Sequence, residues 1–123
     1  MSYLTDRKRA QGAGAGRQGT HHHWQMMVSS TALVFLVPLF VFTFAHGLGG
    51  TYEEVLAYYS RPFPAIVTGL TLVVVIIHLM REAQVAIEDY VHGVAEKLSL
   101  MAVAAFGYTM IAAGLYALVK LAL

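Results

Sequence analysis

The stretch PAIVTGLTLVVVIIHLM, Pro64 to Met80, runs for 17 residues without an Asp, Glu, Lys or Arg. No polar residue recurs every three or four positions, so the stretch lacks the wet face that a helix of a soluble bundle presents to water. A hydrocarbon core about 30 Å thick needs about 20 helical residues at about 1.5 Å rise each. Pro64 to Met80 is slightly short by that measure, but no Gly or Pro interrupts Arg81 to Tyr90, and helix formers fill that segment. A membrane helix over about 64–90 is expected, its last turns running past the membrane surface.

Two further apolar runs flank it, Met27 to Ala45 and Leu98 to Val119, both free of Asp, Glu, Lys and Arg. Spans over about 27–45 and 98–119 follow, which makes three transmembrane helices in an all-α integral membrane protein. The composition of the 123 residues agrees: 58% are hydrophobic and only 12% charged, with a mean hydropathy of +0.62. A net charge of +1 shows none of the clustered basic excess of a nucleic-acid binder, so no nucleic-acid partner is expected and membrane lipid is. The absence of cysteine rules out disulfides, thiolate zinc sites and iron–sulfur ligation by this chain. A chain largely spent on crossing the bilayer has little left from which to build a substrate pocket, so a subunit of a larger assembly is expected.

Loop charges set the expected orientation. Arg7, Lys8, Arg9 and Arg17 precede the first span, and Arg81 and Lys97 lie between the second and third. Only Arg61 and Lys120 lie on the other side, so six basic residues against two put the N-terminus in the cytoplasm. The lead from Met1 to Gln25 is polar and rich in glycine, with Gly12, Gly14, Gly16 and Gly19. It reads as a cytoplasmic arm that orders only against a partner. The long polar lead and the full-length first span do not read as a cleavable signal peptide.

Several residues read as structural. Pro38 is an ordinary proline of a membrane helix. Ala105, Thr109, Ala113 and Ala117 recur at i+4 as a ridge of small side chains suited to close helix approach, with Gly107 and Gly114 on a neighbouring stripe. Trp24, Tyr52, Tyr58, Tyr59 and Tyr116 sit near span ends, where amphipathic rings anchor at the headgroup level.

His78 lies fourteen residues after Pro64, roughly 21 Å of helix rise from the outer end, and an imidazole at that depth needs a partner. Thr71, His78, Glu82, Val85 and Asp89 follow spacings of 7, 4, 3 and 4, a stripe expected to face protein. A hydrogen bond to a neighbouring helix would satisfy His78; so would a metal, since neutral imidazole is the commonest metal ligand and a haem iron in a bundle core needs an axial base. His46 is near the outer end of the first span, so a second axial histidine would come from another subunit. Glu88-Asp89-Tyr90 ends the extended helix. Those residues could be a solvated face and an interface anchor, or a phenol beside a carboxylate suited to donating a hydrogen bond to a quinone carbonyl.

The spacing from His78 to Tyr90, the Asp89-Tyr90 pair, the Gly19-Thr20-His21 start and the three-span layout together resemble the hydrophobic membrane anchor subunits of succinate dehydrogenase, respiratory complex II. The likeness covers nearly the whole chain from Gly19 onward. It implies packing against a partner three-helix anchor, the cytochrome b556 subunit, with His78 as one axial ligand of haem b and the partner supplying the other. It implies that Tyr90 and Asp89 lie at the ubiquinone site, and that His21 lies near a haem propionate. The resemblance has departures: several members of that family carry Arg in the opening turn of the first helix, where this chain has Met27, and a Gly four residues after the ligand His is common, where this chain has Glu82. The implied assembly also contains an iron–sulfur subunit and a flavoprotein subunit docked on the cytoplasmic face, passing electrons from succinate of the tricarboxylic acid cycle to quinone. A bacterial cytoplasmic membrane is the expected location. Two other readings stay open at this point: the anchor of a fumarate reductase, and a non-redox three-helix assembly or transport subunit in which His78 merely bridges helices.

Overall fold

The computed structural model describes residues 3–14 and 18–123, so Arg17 and Gly16 of the N-terminal lead lie outside the described residues. Five helices follow in chain order: α1 (Asp6–Gln11), α2 (Gln18–Gly47), α3 (Tyr52–Tyr59), α4 (Pro62–Tyr90) and α5 (Val94–Ala122). The three long ones are long and apolar enough to cross a membrane. Their ends obey local chemistry. Pro62 opens α4, where its missing N–H would have had no partner in any case. Gly93, with φ of 75°, reverses the chain between α4 and α5, a left-handed conformation that a side chain would resist. Pro38 lies inside α2 without ending it.

Helix formation reaches further toward the N-terminus than the apolar run. Nothing between Thr20 and Met26 breaks a helix, so α2 starts at Gln18 and carries His21, His22, His23 and Trp24 on its first turns. The lead, expected to order only against a partner, also contains α1, whose N-cap Thr5 accepts a hydrogen bond from the Lys8 N–H. The outer loop contains a helix absent from the hydropathy reading. Thr51 and Glu54 form a reciprocal capping box at its start, Thr51 N–H to Glu54 Oε2 at 2.9 Å and Glu54 N–H to Thr51 Oγ1 at 3.3 Å.

Helix α4 is the centre of the packing. It lies against α2 on one side and α5 on the other, and among the described residues α2 and α5 do not touch. A row of three helices has two broad faces and little interior. The buried apolar side chains are Tyr59, Val67, Ile76 and Met80, and no described side chain is fully enclosed. Phe35, Phe42, Phe106 and Tyr116 are all exposed, as they are on a surface that meets lipid or another subunit.

The Ala105, Thr109, Ala113 and Ala117 ridge is exposed and is not the surface by which α5 meets α4. The neighbouring glycine stripe is that surface: a Cβ built at Gly107 would lie 2.1 Å from Met80 Sδ, and one at Gly114 would lie 2.5 Å from Leu72 Cδ2. Both ridges have small-residue spacing, so only the rotation of α5 about its axis decides between them. Nor are Tyr58 and Tyr59 interface anchors. Tyr59 is 7% exposed, and the Tyr58 hydroxyl donates to the Thr43 carbonyl at 2.6 Å, tying α3 back onto α2.

Candidate functional site

The inward-facing chemistry lies between the first half of α2 and the second half of α4. Because the two helices are antiparallel, Ser29, two residues into its apolar run, stands at the depth of His78, two residues before its own run ends. The Ser29 Oγ and His78 Nδ1 are 2.8 Å apart, a hydrogen bond between helices. The same hydroxyl donates to the Met26 carbonyl one turn earlier, at 3.0 Å. The other ring nitrogen, Nε2, is 3.7 Å from Glu82 Oε1, beyond hydrogen-bond range. The His78 side chain is 15% exposed, whereas that of Glu82 is 59% exposed.

The expected stripe is therefore divided. Thr71 is buried and bonds to the Val67 carbonyl at 2.7 Å. His78 is largely covered, whereas Glu82, Val85 and Asp89 are exposed.

Beside this pair runs a groove of about 420 Å³ between α2 and α4, its walls including Val28, Ser29, Val74 and Ile77. His21 and Arg81 also line it. His21 Nε2 lies 2.7 Å from Gln25 Nε2, one turn along α2. His22 Nε2, in the same turn of α2, is buried with no hydrogen-bond partner among the described residues. An apolar groove with a guanidinium and an imidazole along it suits a flat apolar ligand that carries acidic groups.

Tyr90 and Asp89 are elsewhere. Both are exposed at the far end of α4, Tyr90 at 85%. Twelve residues separate Tyr90 from His78, about 18 Å along the helix. Glu88 and Asp89 occupy the last turn of α4, which holds no basic side chain. Carboxylates there face the negative end of the helix dipole, an arrangement that folding of this chain alone does not favour.

Among the described residues no three His, Asp or Glu side chains gather as a metal site. Two residues of this region were not singled out from sequence as site residues. Ser29 could have been found as a polar residue within an apolar run, at the depth of the intramembrane histidine. Arg81 was read only as a topology-setting charge, and its place on the groove depends on α2 lying alongside.

Comparison with known proteins shows the family of the chain. The family model described as the succinate dehydrogenase/fumarate reductase transmembrane subunit matches residues 1–120. The succinate dehydrogenase hydrophobic membrane anchor subunit of Paracoccus denitrificans is 42% identical over 123 residues, which is 100% of this chain and 95% of the relative. No solved structure gives a significant match. With three apolar helices in a row and a near full-length match to both, this multi-pass membrane chain belongs to the family of succinate dehydrogenase and fumarate reductase transmembrane subunits.

Proposed function

We propose that this chain anchors a succinate:ubiquinone oxidoreductase in a bacterial cytoplasmic membrane, supplies one axial histidine, His78, to haem b, and contributes Tyr90 and Asp89 to the ubiquinone site. The observation that carries the proposal is the state of the His78 ring. It is held at one nitrogen by Ser29, largely covered, and among the described residues has no hydrogen-bond partner at the other. A haem ligand needs that arrangement, because one ring nitrogen must be fixed and the other must present its lone pair. The groove beside it, reached through Ser29, has a lining that suits a haem: its apolar walls suit a porphyrin face, and Arg81 and His21 offer cationic and hydrogen-bonding partners for propionates. The second axial ligand would come from the cytochrome b556 anchor subunit.

When bound, haem b supplies a one-electron carrier between the iron–sulfur subunit and the membrane interior. The residues of this chain do the positioning. His78 orients the group, Tyr90 offers a phenolic O–H to a quinone carbonyl, and Asp89 orients the phenol or accepts a proton at the surface. The carboxylates of Glu88 and Asp89, in a last turn of α4 that holds no basic residue, support a surface completed by the iron–sulfur and flavoprotein subunits. The name of the Paracoccus relative favours succinate oxidation over fumarate reduction.

The test uses the intact assembly purified from native membranes in mild detergent. A dithionite-reduced minus oxidised spectrum is expected to show a b-type haem, and His78→Ala to abolish or alter it; an unaltered spectrum removes the ligand assignment. Tyr90→Phe is expected to lower succinate:quinone activity while artificial-dye succinate oxidation persists. Equal loss of both activities would place Tyr90 outside the quinone site.

A further inference from the structure

We infer that Ser29 is the positioning residue that sets the tautomer of His78, holding the ring proton on Nδ1 so that Nε2 keeps its lone pair for the metal. The argument is a count of protons. A serine hydroxyl has one hydrogen and two lone pairs. That hydrogen is committed to the Met26 carbonyl at 3.0 Å. Other hydroxyls of the chain behave alike. Thr31, Thr43, Thr71 and Thr109 each donate to a carbonyl one turn back on their own helix, at 2.7 to 2.9 Å. With its hydrogen used, Ser29 Oγ can only accept, so the 2.8 Å contact requires an N–H at His78 Nδ1.

In a neutral imidazole the proton on Nδ1 leaves Nε2 bare. The opposite tautomer has no comparable support. It would place Nδ1 and Oγ lone pair against lone pair unless Ser29 gave up its backbone bond. Its Nε2–H would then point toward a carboxylate 3.7 Å away, too far for a hydrogen bond. The rotamer of Ser29, set by its own helix, therefore determines which nitrogen of a residue 49 positions later is available as a ligand. The bond also aims the ring, since an imidazole held at Nδ1 by α2 cannot turn freely about its Cβ–Cγ bond.

This inference rests on the reading of His78 as a haem ligand, and the experiment separates the two. Ser29→Thr and Ser29→Val are compared in the intact assembly; the two side chains have nearly the same shape, and only threonine keeps the hydroxyl. The readouts are the haem midpoint potential, the low-field electron paramagnetic resonance of the ferric haem, and the rate of haem transfer to added apomyoglobin. A hydrogen bond donated by Nδ1–H makes the imidazole a stronger ligand, so its loss in Ser29→Val is expected to move the potential positive, shift the resonance and speed haem loss about tenfold or more. Ser29→Thr is expected to stay near the native values.

If Val and Thr variants give the same potential, resonance and haem transfer, the tautomer role is overturned while the ligand assignment stands. If both variants lose haem equally, the site needs the small side chain and not its proton acceptor, which also overturns it. If His78→Ala leaves the haem spectrum unchanged, the ligand reading itself fails and the inference falls with it.

Discussion

The contact of α5 with α4 can be tested at one carbon atom. Gly107→Ala adds a Cβ 2.1 Å from Met80 Sδ, 2.5 Å from its Cγ and 3.0 Å from its Cε. Comfortable separations are about 3.5–4.0 Å, so the whole end of the methionine must move by roughly 1.5 Å or adopt another rotamer. Overpacking of this kind costs about 1–3 kcal/mol. Against it stands the gain of about 1 kcal/mol for alanine over glycine within a helix. A net loss of about 0–2 kcal/mol is expected. The sharper expectation is a reversal of sign. In a Met80→Ala background the obstructing atoms are gone, and Gly107→Ala becomes neutral or stabilising by up to about 1 kcal/mol, a coupling of order 1–3 kcal/mol. The absence of cysteine makes the assay direct. Single cysteines at exposed Phe63 and Leu123, at the outer ends of α4 and α5, would carry a donor and an acceptor dye. Separation of the helices would be followed during titration with dodecyl sulfate in mixed micelles. Equal effects of Gly107→Ala in both backgrounds would mean that Met80 does not fill the space over Gly107, and the rotation assigned to α5 would be wrong.

Tyr58→Phe removes the 2.6 Å bond to the Thr43 carbonyl and is expected to loosen α3 from α2 by about 1 kcal/mol; hydrogen exchange at the α3 amides should rise, and unchanged exchange would deny the tie. The Tyr59 hydroxyl is held above its ordinary value of 10.0, first by burial and then by the neighbouring Tyr58. Its raised folded-state pKa means the associated stability is present below about pH 10 and is lost as pH climbs through the folded value. Ultraviolet titration should show one phenol ionising later than the rest, and Tyr59→Phe should remove that late step. A titration in which all tyrosines ionise together would contradict the burial of Tyr59.

Much of this protein is readable from its chain because the bilayer simplifies the physics. A long run without charge has few stable conformations available in hydrocarbon, so the three membrane helices follow from hydropathy and length alone. The depth of His78 follows from a rise per residue that hardly varies. The outer helix α3 was also within reach, since Thr51 and Glu54 stand at capping-box spacing, but hydropathy does not register a signal carried by two polar side chains.

Rotation about a helix axis is not readable in this way. In hydrocarbon an apolar side chain gains little by facing another helix instead of lipid, so the sequence marks inward and outward faces of α5 only weakly. The alanine ridge and the glycine stripe were equal candidates until the position of α4 brought Met80 over Gly107 and Leu72 over Gly114. The same holds for the site. Sequence determined that this chain spans a membrane three times and carries one histidine deep within it. Only the tertiary structure decided that Ser29 meets that histidine and that Arg81 shares a groove with His21, because hydrogen bonds and grooves between helices depend on their relative rotation and register, and neither is written in the composition of either helix.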